Sequence, residues 1–171
     1  MTVVIYHSQT GFTKKYAEWI SEELECEMID VKDFAADRLN DYETIIYGGN
    51  IVATKITGLS LINNNLSLLK DKDVYIFGVG ITPYSKEYEE TIAKNSLTGN
   101  HQLFYFTGGL DKSKLKGFSK FILSFIARGI RKKKEKSKEE EFFLEANSKY
   151  TDTTSKEQIK RLIDLINEED E

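Results

Sequence analysis

Six residues near the amino terminus, Ser8-Gln9-Thr10-Gly11-Phe12-Thr13, carry the groups needed to hold a phosphate. They follow an apolar run and open a helical pattern. A turn there aims several backbone N–H groups at one point, and the helix N-terminus adds a partial positive charge. The hydroxyls of Ser8, Thr10 and Thr13 are further donors, and Gly11 permits a tight backbone path. The loop itself holds no cation, so the donor set suits a phosphate monoester dianion bound through dipoles. Other phosphate chemistries fail on residue type. A P-loop NTPase needs Gly-Lys-Ser/Thr, and no lysine follows Gly11 at that spacing. A dinucleotide fold needs G-x-G-x-x-G, and this loop has a single glycine. A thiol phosphatase needs a cysteine after the first strand, whereas Cys26 lies near the second. A phospho-acceptor domain needs acids where this chain has His7 and Ser8. Taken by itself, the hexapeptide also fits ordinary turn and N-cap chemistry.

The elements that must position this loop alternate along the chain. Residues 2–6 form a near-continuous β-branched and aromatic run, as for a strand buried on both faces. A helix is expected over 13–24, where Tyr16, Ala17, Ile20 and Leu24 keep helical spacing. Further strands are expected over 27–31, over 43–47 ending at Gly48-Gly49, over 73–79 ending at Gly80, and over 102–107 ending at Gly108-Gly109. Further helices are expected over 59–69, weakened by Asn63-Asn64-Asn65, over 84–95, and over 155–167 with Ser155 as N-cap. In the last of these Ile159, Leu162, Ile163 and Ile166 share a face. Five strands alternating with helices imply an α/β, doubly wound parallel sheet covered on both faces. Ligands of such sheets bind beyond the carboxyl ends of the strands. No repeat or linker marks a second domain, so residues 1–171 are expected to fold as one.

Composition agrees with a globular chain: 171 residues, 40% hydrophobic, 30% charged, net charge −4. The first apolar stretch is too short for a signal peptide, and no run approaches the roughly 20 residues of a membrane span. The expected location is therefore the cytoplasm. The single cysteine, Cys26, excludes an internal disulfide. The average charge hides an asymmetry, because residues 111–138 carry eleven Lys/Arg against Asp111 and Glu135, leaving the rest of the chain strongly acidic. Residues 112–141 are extra to the strand–helix alternation. Within them Leu115, Phe118, Phe121, Ile122, Phe125 and Ile126 describe an amphipathic helix with a basic tail. Three readings of Phe118–Lys138 stand: a helix lying on an anionic bilayer, a docking face for an acidic redox protein, and a packed helix whose solvated basic end is balanced by Glu139-Glu140-Glu141. Nucleic acid is not an expected partner, since the acidic body would repel it.

The run Ile5-Tyr6-His7-Ser8-Gln9-Thr10-Gly11-Phe12-Thr13 resembles the flavodoxin signature, an aromatic-ended strand followed by Ser/Thr-x-Thr-Gly-x-Thr. The resemblance implies a flavodoxin-like five-stranded fold and one bound FMN, its phosphate held by Ser8, Gln9, Thr10, Gly11, Phe12 and Thr13. The stretch from Phe77 to Tyr84 looks like the family loop that ends in a flavin-stacking tyrosine, which implies roles for Gly80, Thr82 and Tyr84; a core aromatic at a helix start is the other reading of Tyr84. Gly48 to Val52 resembles the loop on the other flavin face, which implies roles for Gly49, Asn50, Ile51 and Val52, and Gly108 and Gly109 complete the set. Val52 stands where many flavodoxins have tryptophan, and Ile81 stands where an acidic residue is common. Fewer negative charges nearby destabilise a reduced, anionic flavin less.

A narrower resemblance follows the fifth strand. Gly108-Gly109-Leu110-Asp111, the basic-aromatic helix and Tyr150-Thr151-Asp152 look like the flavodoxin-like menaquinone-dependent protoporphyrinogen dehydrogenases, in which an extra segment stands at this position and electrons pass from a porphyrinogen through FMN to a quinone. The implied function is electron transfer or dehydrogenation through a single FMN, with a redox partner protein or a quinone as partner. The alternative class is a flavin-free binding module that keeps the fold; the intact Ser8–Thr13 loop argues against it and Val52 argues for it. His7 reads as a loop packing group or a neighbour of the flavin, His101 as a surface residue, Cys26 as a small hydrophobe and Trp19 as partly exposed packing. No His/Cys spacing suggests a metal and no nucleophilic set is evident.

Overall fold

A computed structural model describes residues 1–99, 101–111, 113–115, 117–148 and 150–169. In chain order the elements are β1 (Thr2–His7), α1 (Phe12–Glu23), β2 (Glu27–Asp30), β3 (Thr44–Val52), β4 (Lys55–Ile56), α2 (Ser60–Asn63), β5 (Asp73–Gly80), α3 (Lys86–Ser96), β6 (Gln102–Thr107), β7 (Gly109–Leu110), α4 (Gly117–Arg131), α5 (Lys138–Ala146), β8 (Thr151–Asp152) and α6 (Lys160–Glu169). Short 3-10 turns cover Val31–Asp33, Ala36–Asp41 and Lys156–Ile159. Five parallel strands form the sheet in the order β2-β1-β3-β5-β6, with β4 turned back antiparallel on β3. The strand order reverses between β1 and β3, and at such a switch point the loops part and leave a crevice.

Both faces of the sheet are covered, which is why its strands are apolar at successive positions. On one face Val3, Ile5, Ile45, Tyr47 and Ile76 pack with Leu39, Ile62 and Ile92 from the 3-10 turn, α2 and α3. On the other, Val4, Tyr6, Ile46, Phe77 and Phe106 pack with Tyr16, Ala17 and Ile20 of α1 and with Leu162 and Ile166 of α6. The outer edge, β6, is closed by side chains. The Tyr105 N–H donates to Glu89 Oε1 at 3.0 Å and the Thr107 N–H donates to Gln158 Oε1 at 2.7 Å. Outward N–H groups that would otherwise template another strand are thereby satisfied.

Several expected elements change form. The helix expected over 59–69 is one turn, Ser60–Asn63, because the asparagines turn the chain: Asn65 Nδ2 donates to the Leu61 carbonyl and Asn63 Nδ2 to the Ser96 carbonyl. The third strand does not stop at Gly48-Gly49 but runs on to Val52. The carboxyl-terminal helix starts as a 3-10 turn over 156–159, with Ser155 Oγ accepting from the Glu157 N–H. The extra segment is two helices. The basic run ends α4, where cations suit the negative helix terminus. Ser137 then restarts the chain, its hydroxyl accepting from the Glu140 N–H while the Glu140 carboxylate accepts from the Ser137 N–H. Lys133 pairs with Glu140 across the bend. Lys112 and Lys116 lie outside the described residues, and of Phe118 and Lys120 only the backbone is described. Among the described residues no helix is long and apolar enough to cross a membrane.

His101 is half-buried rather than on the surface, and its Nε2 has no hydrogen-bond partner among the described residues. Burial pushes its pKa below the ordinary 6.5. The unfolded chain therefore binds this proton more readily than the folded one, so stability is lost as pH falls below 6.5. Urea unfolding of the wild type should show that loss between pH 6.5 and 5, above the range where carboxylates titrate. His101→Leu should flatten it; an equal slope in both proteins would exclude His101 as its source.

Candidate functional site

β1 ends between β2 and β3, and the chain reverses into α1 through Gly11 at φ +97°, a conformation that an L side chain adopts only with strain. The Gly11 N–H donates to Ser8 Oγ at 3.1 Å, closing the turn and leaving the Ser8 hydroxyl proton free to face a ligand. Helix α1 has no side-chain cap. Its first N–H groups therefore keep their hydrogen-bonding capacity beside Thr10 and Thr13. Where α1 sits is settled by Tyr16, whose hydroxyl donates to the Thr107 carbonyl at 2.6 Å and accepts from the Ser155 N–H at 3.2 Å. Burial raises the Tyr16 phenol to about 12, so it stays a donor. Lys15 adds a second tie, its Nζ 2.7 Å from Thr154 Oγ1 and 3.2 Å from Asp152 Oδ2.

A cavity of about 250 Å3 opens at the carboxyl ends of β1, β3 and β5. Its polar floor comes from Gln9, Thr10, Thr13 and Asn50, and its apolar roof from Ile122, Leu123 and Ile126 of α4 with Phe143 of α5. Of the residues singled out by sequence, Gln9, Thr10, Phe12, Thr13, Asn50, Ile51, Val52, Gly80, Thr82 and Gly109 all line it. Ser8 and Gly11 stand at the turn, outside its wall. Gly49 is buried beneath it, where a Cβ would lie 2.5 Å from the Thr57 carbonyl oxygen. Gly108 is structural: its N–H donates to the Gly80 carbonyl at 2.7 Å and its carbonyl accepts from the Thr153 N–H at 2.9 Å. Gly109 leaves room for the Phe12 ring, which would come within 2.6 Å of a Cβ there.

Tyr84 is not brought to the cavity. It is 56% exposed, 6.3 Å ring to ring from Tyr105, and its hydroxyl donates to Glu89. The helix α3 begins only after it, at the Ser85 cap, and the aromatic that reaches the cavity is Tyr88. The loop that leads into Tyr84 is held by the Tyr105 hydroxyl, which donates to the Thr82 carbonyl. His7 packs beneath the site with Nδ1 2.9 Å from Thr57 Oγ1. That hydroxyl also lies 3.0 Å from the Asn50 carbonyl and 2.7 Å from Asn50 Oδ1, and so ties β1 to the end of β3. Trp19 makes an edge contact with Tyr16, and Cys26 is half-buried with its thiol raised to about 11 by burial.

Sequence reasoning did not reach Ala53, Thr54, Val79, Ile81, Tyr88, Leu110, Leu115, Phe143 or the inward positions of α4 as parts of one wall. The heptad-like stripe from Leu115 to Ile126 was visible, but it contains two faces: Ile122 and Ile126 turn in, whereas Phe121 and Phe125 are 66% and 68% exposed. None of the described lining residues is charged.

The sequence matches the flavodoxin-domain family over residues 3–138, and the chain belongs to that family. Similar solved structures include an archaeal flavodoxin (21% identity, 62% of this chain and 82% of that one, TM-score 0.44). A WrbA-like flavodoxin from Agrobacterium tumefaciens is another (18%, 62% and 82%, 0.45). A third is flavodoxin 1 from Bacillus cereus (17%, 77% and 98%, 0.41). No curated protein matches the chain.

One part of the wall is strained. Val52 pairs with Lys55, so Ala53 and Thr54 form a two-residue hairpin, and both have positive φ, 49° and 64°. A hairpin of this hand normally uses Asn-Gly or Gly-Gly. The Thr54 hydroxyl offsets part of the cost, accepting from Asn95 Nδ2 at 2.8 Å and donating to the Ala53 carbonyl at 2.6 Å. Ala53 has no such help. Ala53→Gly should therefore stabilise the fold by about 1 kcal/mol in urea unfolding. A loss of stability would mean that the turn is not strained at this residue.

Proposed function

We propose that this chain binds one FMN at the carboxyl ends of β1, β3 and β5 and passes electrons through it. The observation that carries the reading is the junction of an uncapped helix N-terminus with an apolar cavity, in a chain of the flavodoxin-domain family. The donor set fits the cofactor. Ser8, Thr10 and Thr13 hydroxyls and the first N–H groups of α1 suit its phosphate, and the walls around Ile51, Val52, Ile81 and Tyr88 suit its ring. FMN, when bound, supplies one- or two-electron redox chemistry. The protein's residues orient it and exclude water, chiefly through Ile122, Leu123, Ile126 and Phe143 of the roof. With no carboxylate among the described lining residues, nothing there repels a reduced anionic ring.

The finer reading, a flavodoxin-like dehydrogenase that delivers electrons from a porphyrinogen to a quinone, draws on the position of α4 and α5 after the fifth parallel strand. Support for a membrane-borne acceptor comes from the outer face of α4. Phe121 and Phe125 are exposed there in line with Arg128 and Lys132, an apolar stripe with a cationic end that matches an anionic bilayer surface.

Two experiments test these readings. Titration of purified protein with FMN, followed by flavin fluorescence quenching, should give tight one-to-one binding. Thr10→Val should weaken it by one charge-assisted hydrogen bond, about 1.5–3 kcal/mol. No binding by folded wild type would remove the cofactor reading, and unchanged affinity in the variant would remove Thr10 from the phosphate site. In flotation assays the protein should rise with vesicles containing phosphatidylglycerol and not with neutral ones. Phe121→Ser/Phe125→Ser should remain at the bottom; the bilayer reading fails if the wild type does not float.

A further inference from the structure

The phosphate loop has a cation after all, delivered from the far side of the chain. β7 ends at Leu110, and the turn that follows returns over the start of α1. Asp111 organises this turn. Its Oδ1 accepts from the Ser113 N–H at 3.0 Å and from the Ser113 hydroxyl at 2.5 Å, and the Lys114 N–H donates to the Asp111 carbonyl at 3.2 Å. The Lys114 side chain then reaches back so that Nζ lies 3.9 Å from the point a Cβ on Gly11 would occupy, the nearest atom there among the described residues apart from those flanking Gly11. It pairs with Asp111 Oδ2 at 3.7 Å, and its side chain is 60% exposed.

Asp111 offsets only part of the repulsion that this placement carries. The N-terminus of a helix carries partial positive charge, and a lysine ammonium set against it is repelled. The two lysines of the first turns of α1 are spent elsewhere: Lys15 on Asp152 and Thr154, Lys14 on Glu18. A phosphate dianion in the loop would lie between two positive partners and reverse the sign of both interactions. Resting on the cofactor reading above, we infer that Lys114 is a phosphate-binding residue, one that closes over the loop from the β7–α4 turn and discriminates FMN from the unphosphorylated flavin.

The experiment compares FMN with riboflavin, which shares the ring and lacks the phosphate. Fluorescence titrations on wild type, Lys114→Gln and Lys114→Arg are run at low and high NaCl, with circular dichroism confirming that each is folded. Lys114→Gln should weaken FMN about fivefold, the effect of one partly exposed charge contact, and should leave riboflavin unchanged. The FMN difference between wild type and Lys114→Gln should shrink with salt, and Lys114→Arg should recover most of the affinity. Equal weakening for both flavins would make Lys114 a support for the fold of the turn, and unchanged FMN affinity would make it a partner of Asp111 alone; either overturns the inference. If wild type binds riboflavin but gains nothing from the phosphate, the inference fails while a flavin site survives. If it binds neither flavin, both this inference and the cofactor reading fall.

Discussion

The chain leaves β1 and enters α1 through one residue at φ +97°, and the geometry of the whole site depends on that reversal. β1 is held on both sides by β2 and β3, so its direction is not adjustable. A left-handed residue at Gly11 sends the helix back across the sheet with its positive end over the strand ends. The helix must then be pinned, and the tie is buried. Tyr16 bridges the end of β6 and the start of the carboxyl-terminal segment through its hydroxyl, and Phe12 lies against the backbone of Gly109. Residues far apart in sequence thus fix one angle, that of α1 against the end of β6 and the start of β7.

The site that results has two characters. Its floor belongs to the parallel sheet and is polar, because hydroxyls and backbone N–H groups gather where strands end and a helix begins. Its roof belongs to α4 and α5 and is apolar. A low-dielectric roof over an uncapped helix terminus strengthens the interaction of that terminus with an anion, since less water competes for it. The absence of charged side chains among the described lining residues leaves dipoles, and the loop from β7, to set the local potential.

Much of this architecture could be read from the chain. The parallel strands announce themselves because burial on both faces forces apolar residues at successive positions, as in Val3-Val4-Ile5 and Ile45-Ile46-Tyr47. The phosphate loop was legible because its donors are contiguous. The helices that fail or divide are those whose ends depend on local competition. Asparagine side chains bond to nearby carbonyls and stop α2, and the Ser137–Glu140 box, present in the sequence as Ser-x-x-Glu, separates α5 from α4. The hairpin at Ala53-Thr54 was not legible, since neither residue favours positive φ and only its surroundings impose it.

The sequence by itself determined the order of elements, the covered parallel sheet and the donors of the phosphate loop, because periodicity, glycine placement and contiguous hydroxyls are local properties. Only the tertiary structure decided which face of α4 turns inward, that Tyr88 rather than Tyr84 reaches the cavity, that His101 is half-buried, and that Lys114 returns to Gly11. The physical reason is the same in each case. An amphipathic stripe, an aromatic pair or a lysine has several places to go that satisfy its own segment equally well, and the choice among them is made by packing against residues a hundred positions away.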